Sequence, residues 1–469
     1  MSIKVPEPTN PVPAKMREYM DKILAKTDSE DIKKLLNNTF VNTWTTTIQI
    51  SENDAFVITG DIPAMWLRDS AAQVKNYLPI MPECEEIKSV ISKVIARQMH
   101  SVVMDPYANA FNFEDNGHGH TDDITDMSPW VWERKYEIDS LCYAIHLAYQ
   151  YYKITDDKTM FTDEFKKAME LILNTWKTEQ NHENSPYRFT RHNCPYSDTL
   201  HNDGKGNPVA CTGLTWSGFR PSDDACVYGY LVPANMFAVV ALKEMAEMVV
   251  AGYGDEELAD KALTLRDEID AGIRKYAIIE TEEFGKVYAY EVDGLGNTLF
   301  MDDANVPSLI SAPYLGYCDI NDEIYQNTRK MLLSKANPFY FEGSAAKGIG
   351  SPHTPENYIW HIALAMQGLT TNDLQEKKML LDFILSTHAG EWYMHEGFNV
   401  DNPDVVTRVW FAGANTIVSE FLIDCIEKNV IKCALITPHL KAVGSNPTSA
   451  VVPLKYIQQF NGEQYGKYY

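Results

Sequence analysis

Among its 469 residues the sequence contains no CxxC pair, no GxSxG elbow, no P-loop, no GxGxxG turn and no HExxH helix. These absences exclude a cysteine-spelled zinc site, a serine-hydrolase nucleophile, nucleotide-phosphate cradles and a zincin. The eight cysteines, Cys84, Cys142, Cys194, Cys211, Cys226, Cys318, Cys425 and Cys433, are scattered. They read as reduced thiols, several packed as small hydrophobes on helix stripes. The longest obvious apolar run, Met236–Leu242, is far too short to cross a bilayer. Residues 1–26 show no apolar h-region, so the expectation is a soluble cytoplasmic protein. Positive charge is also scarce: 41 Lys and Arg stand against 65 Asp and Glu, a net charge of −24. That balance argues against nucleic acid, membrane surfaces and polyanionic substrates, and points to a neutral or cationic ligand. It also serves solubility.

Strand signals are few, and no βαβ series or fixed-period repeat appears. What dominates is helical periodicity. Leu141, Ile145, Ala148, Tyr149 and Tyr152 share one face, as do Phe165, Met169, Ile172 and Trp176. Further helices are expected over 12–26, 30–48, 68–79, 83–103, 257–276, 322–334, 356–369 and 408–428. Asp28, Ser29 and Asn321 are possible N-caps. One hairpin is expected, Val287–Val292 with Thr298–Met301 around Asp293-Gly294, and a short strand within Gln49–Ile58. About a dozen helices with no low-complexity linker predict an all-α, single-domain barrel of paired helices over residues 1–469. The proline-rich stretch 1–14 forms an N-terminal arm. Long polar segments at 53–69, 104–135, 183–224, 286–308, 336–356 and 388–408 are expected to gather at one end as the site.

Six of the nine tryptophans, Trp66, Trp130, Trp132, Trp216, Trp392 and Trp410, fall in or beside those loops. An indole face beside carboxylates and amides suits a sugar ring; the plainer alternative is that they pin loops to the barrel. Arg68 and Asp69 supply a donor fork and a bidentate acceptor suited to vicinal hydroxyls, or a salt bridge at a helix start. Asp223 and Asp224 precede an apolar helix, where caps and a catalytic acid are both open readings. Glu396 lies on an aromatic loop. His395-Glu396 and the run Asp122–Asp126 are poor metal sites, lacking the spacing of known motifs. Gly348–Ser351, ahead of His353, reads as a turn. The chemistry left is that of carboxylate pairs in an aromatic cleft, as in glycosidic bond cleavage.

Five ordered blocks carry a family resemblance: Gly60–Ser70 (GDIPAMWLRDS), Trp130–Ser140 (WVWERKYEIDS), Gly218–Asp224 (GFRPSDD), Met301–Pro307 (MDDANVP), and His395–Phe398 (HEGF) with Arg408–Asn415 (RVWFAGAN). Together they resemble glycoside hydrolase family 125. The resemblance implies an (α/α)6 barrel with long loops and a short β-hairpin at the active-site end. It implies a metal-independent, inverting exo-α-1,6-mannosidase without cofactor, acting on mannose-containing oligosaccharides. By motif, Asp223 is then the general acid and Glu396 the general base. Trp66, Arg68, Asp69, Asp126, Trp130, Arg220, Asn305, His353 and Trp410 are candidates for holding the sugar. The competing readings are another enzyme of this fold, a phosphorylase or epimerase, and an inactive sugar-binding barrel.

Overall fold

The computed structural model of the chain describes residues 7–430. Residues 1–6 of the expected arm, Cys433 and the C-terminal part of the expected domain lie outside the described residues.

Twelve helices are described: α1 Ala14–Leu24, α2 Glu30–Thr46, α3 Leu67–Val74, α4 Glu85–Met104, α5 Ile138–Thr155, α6 Asp163–Glu179, α7 Val232–Tyr253, α8 Glu256–Tyr276, α9 Glu323–Leu332, α10 His361–Leu369, α11 Leu374–Ser386 and α12 Ala412–Glu427. Local signals set several starts. Ser29, one of the expected caps, accepts the Ile32 N–H at the head of α2, and Asp373 caps α11. At the α9 start the cap is Asp322, not Asn321. Gly254, at φ +62°, closes α7 in a left-handed turn.

The burial patterns separate two layers. α8 buries one stripe, Leu258, Ala262, Leu265, Ile269 and Ile273, as an amphipathic outer helix does. α10 buries every residue from His361 to Gly368, and α7 and α12 bury most of theirs. α3, α5, α7, α10 and α12 form the inner ring, with α3 packed on both α5 and α12, α5 on α7, and α10 on α12. Outside them lie α2, α4, α6, α8, α9 and α11, giving the (α/α)6 barrel. The sixth inner position holds no helix. The turn-rich segment 309–316 occupies it, tied in by Tyr325 Oη donating to Ile310 O and Tyr314 Oη donating to Glu420 on α12.

Each of the five inner helices begins at the same end, where short strands lead into them. Met65–Trp66 precedes α3, Tyr230–Leu231 precedes α7, and Tyr358–Trp360 precedes α10. Three expectations change here. The run Val287–Val292 divides between two sheets: Gly285–Tyr288 pairs with Ile278–Thr281, while Glu291–Val292 pairs with both Thr298–Leu299 and Tyr230–Leu231. The chain turns at Ala289-Tyr290, whose N–H groups donate to Ala277 O and Leu299 O. Asp293 Oδ1 accepts from Leu295 and Asn297 N–H, which makes the following turn longer than two residues. The helix expected from 356 starts at 361, because Tyr358–Trp360 is a strand paired with Gly397–Asn399. After Val74 the chain tightens into a 3-10 helix, Lys75–Glu83, in which Pro79 and Pro82 preclude α-helical bonding.

Candidate active site

Asp223 and Asp224 sit on a tight turn closed by the Phe219–Ala225 bridge. Arg220 N–H donates to Asp224 O at 2.8 Å and Asp223 N–H to Arg220 O at 2.9 Å. Asp223 has φ +72°, a left-handed conformation uncommon for an aspartate and typical of constrained functional turns. Three neighbours hold the turn. Lys135 Nζ donates to Asp223 O at 2.9 Å while pairing with Asp198 at 2.5 Å. Ser222 Oγ donates to Asp303 at 2.5 Å. Asn305 Nδ2 donates to Pro221 O at 2.8 Å.

The positive φ sends the two aspartates to different surroundings. Asp224 is buried, its Oδ2 3.5 Å from His353 Nδ1. Burial alone would raise its pKa; His353, Ser197 and Arg220 outweigh that and hold it below the usual carboxylate range. Reciprocally, burial would lower His353, but Asp224 first, then Glu396 and Asp223, push it up to about 9. The Asp223 side chain keeps 35% exposure. Its Oδ1 is covered without a hydrogen-bond partner, 4.0 Å from Arg68 Nη2, so the exposure falls on the other oxygen.

Glu396 lies on a separate loop, directly before the strand Gly397–Asn399. Its side chain is buried; Oε2 accepts from Thr407 Oγ1 at 2.9 Å, and Oε1 lies 3.6 Å from Arg408 Nε, which also faces Asp61 at 3.5 Å. Behind it, His395 Nδ1–H donates to Val409 O at 2.6 Å and its backbone N–H meets His361 Nδ1 at 3.3 Å. Burial lowers the pKa of both histidines, so this support is neutral.

Beneath the carboxylates lies Arg68, whose Nη1 reaches Glu137 at 2.8 Å and Asp139 at 3.0 Å, with Asp69 at 3.7 Å from Nε. Asp69 and Asp139 occupy the first turns of α3 and α5. Burial raises the pKa of Asp69 and Asp139, and raises Glu137 well above its usual range. Below this cluster a cavity of about 60 Å³ runs along the barrel axis, from Arg68, Asp69 and Asn305 toward Lys75 and Glu420, beside the segment that replaces the sixth inner helix.

Of the residues expected from the sequence, Arg68, Asp69, Asp223, His353 and Glu396 therefore share one region, with Asn305 at its edge. Others fall elsewhere. Arg220 is buried with its Nε on Glu291 at 2.6 Å, and so braces the turn. Trp410 is 1% exposed, donates to Asn42, and has no free face for a sugar. Trp66 is buried in a small cluster with Ala64, Ala110 and Trp132. Trp130 sits edge-on to His100 of α4, and Asp126 is exposed with no bond to the carboxylates. Buried Trp216 stacks on His182 at 3.5 Å. The tryptophans mainly pin loops. Glu137, Asp139 and Arg408 lay inside the quoted motifs without being singled out.

Among the described residues no group of three or more His, Cys, Asp or Glu side chains is placed to hold a metal ion, and no helix is long and apolar enough to cross a membrane.

A helical barrel presenting carboxylates from separate loops over a buried Arg–carboxylate floor has the architecture of a glycoside hydrolase. The chain belongs to family GH125, the metal-independent alpha-mannosidases, whose model matches residues 29–423. It is similar to a solved Streptococcus pneumoniae protein of the metal-independent alpha mannosidases, in a non-productive complex with alpha-1,6-mannobiose: 46% identity, 89% of this chain and 99% of that one, TM-score 0.87. The meiotically up-regulated gene 157 protein of Schizosaccharomyces pombe is 38% identical over 437 residues, covering 88% of this chain and 86% of that protein. The Saccharomycopsis fibuligera glucoamylase shares the fold alone, at 11% identity, covering 89% of this chain and 96% of that one, with TM-score 0.53.

Proposed function

We propose that the protein is an inverting exo-α-1,6-mannosidase, removing non-reducing terminal mannose with Asp223 as general acid and Glu396 as general base. The observation that carries this reading is the convergence of the two carboxylates from separate loops onto the surroundings of His353. Asp224 pairs with that histidine and is held ionised, so it has no proton to give. Asp223 has an open oxygen able to reach a glycosidic oxygen. In the reaction the Asp223 proton passes to the leaving oxygen as the C–O bond breaks. Glu396, oriented by Thr407 and Arg408, takes a proton from a water that attacks the anomeric carbon from the other face. Room for that water requires a carboxyl separation of about 6.5–9.5 Å. We assign the holding of the terminal sugar to Arg68, Asp69, Asn305 and His353. Both arginines near the carboxylates are already engaged by acids, which disfavours a phosphorylase's anion site.

Hydrolysis of α-1,6-mannobiose followed by NMR, with a chelator present, tests the reading. β-Mannose appearing first at an undiminished rate is expected. First-formed α-mannose would reject inversion, and intact mannobiose would reject the activity. We also propose residues 1–469 as one catalytic domain in the cytoplasm. An apolar core that runs through all twelve helices and the free cysteines, among the described residues, support this.

A further inference from the structure

We infer that Tyr196, stacked on His201, is a platform for the leaving-group part of substrates longer than a disaccharide. The inference rests on the hydrolase reading, because a general acid protonates the leaving oxygen and the leaving sugar must therefore lie beside Asp223.

The short turn Tyr196–Asp198 is the piece of chain built against that acid. Ser197 O accepts the Ala225 N–H at 2.7 Å, and Asp198 holds the Lys135 that donates to Asp223 O. Residues 197 and 198 thus brace the acid turn, and Tyr196 is the next residue along the chain. Exposure rises along the same path: the Asp224 side chain is 5% exposed, Asp223 35%, and Tyr196 69%. Tyr196 is the most exposed large hydrophobic side chain among the described residues.

The ring is also held in place. Its centroid lies 3.9 Å from that of His201, with 27° between the planes. Thr199 Oγ1 accepts the Arg191 N–H, and Arg191 grips Asp198 and Asp123, fixing the base of the loop. A tyrosine with little freedom to lose, one face stacked and the other in water, suits the C–H face of a pyranose. No packing role accounts for so exposed a ring in so well braced a loop. An exposed ring on the turn that braces the acid matches the leaving-group side of the site.

The test compares initial rates on α-1,6-mannobiose and linear α-1,6-mannotriose for the full chain and its Tyr196→Ala and Tyr196→Phe variants. The unaltered protein is expected to prefer the trisaccharide. Tyr196→Ala should lower kcat/KM on mannotriose by about three- to tenfold, mainly through KM, and leave mannobiose within about twofold. Tyr196→Phe should retain the preference. An unaltered protein without that preference overturns the platform, as does Tyr196→Ala acting equally on both substrates or on neither. Failure of the unaltered protein to cleave mannobiose overturns the hydrolase reading itself, and is thereby distinct.

Discussion

His353 and Asp224 face each other at 3.5 Å, and their pairing separates two adjacent aspartates chemically. Asp224 is committed to the ionised form beside a cationic imidazole, while Asp223 keeps an open oxygen toward the site.

That division predicts different substrate dependence for the two aspartates. Asp223→Asn should lower turnover of mannobiose by about 10²–10⁴-fold yet keep most activity on α-mannosyl fluoride, whose leaving group needs no proton. Asp224→Asn, which disturbs His353, should impair both substrates alike. Rates on the two substrates check this, and equal losses for Asp223→Asn would remove it as the acid.

The His353 pairing also predicts a pH dependence of stability. Its contribution is complete below the ordinary histidine value of about 6.5 and disappears as the pH climbs through about 9. Tm of the unaltered protein should therefore fall across that window more than Tm of His353→Gln. Parallel Tm curves would contradict the pairing.

Arg68 offsets the burial of Glu137 and Asp139. Arg68→Met leaves both without their cation and should cost about 3–5 kcal/mol, seen as a lower urea midpoint. Glu137→Gln keeps the shape of the side chain and removes one buried charge, and should cost less than Arg68→Met.

Gly60 lies against Trp410. A β-carbon there would stand 2.6 Å from the indole, at a backbone φ of +137°. Gly60→Ala should destabilise by about 1–3 kcal/mol and displace Trp410 from Asn42. Urea titration measures the first effect, and an unchanged midpoint would mean the loop yields freely.

The helices were readable because their apolar stripes repeat every three or four residues and because Ser29 marks a start. Of the short strands, the pairing of Glu291–Val292 with Thr298–Leu299 was legible from the turn at Asp293-Gly294, but Tyr230–Leu231, two residues long, was too brief for an alternation to register. The tryptophans misled because Trp410 and Trp216 are buried by the fold, Trp410 against Gly60 and Asn42 and Trp216 against His182, which sequence neighbours do not show. Charge at a site is visible in sequence, but burial is not. Glu137 and Asp139 therefore read as ordinary acids until the fold folded them under Arg68. The roles of Asp223 and Asp224 turn on one φ angle that no spacing reveals.

The five inner helices open toward the site, each bringing roughly half an elementary positive charge from its aligned peptide dipoles. A sugar losing its leaving group becomes oxocarbenium-like and is repelled by such a potential. The acids crowded around one guanidinium, two of them in helix first turns, oppose that field. The scaffold that builds the pocket thus works against the charge the reaction develops, and acids placed at its helix starts lessen that opposition.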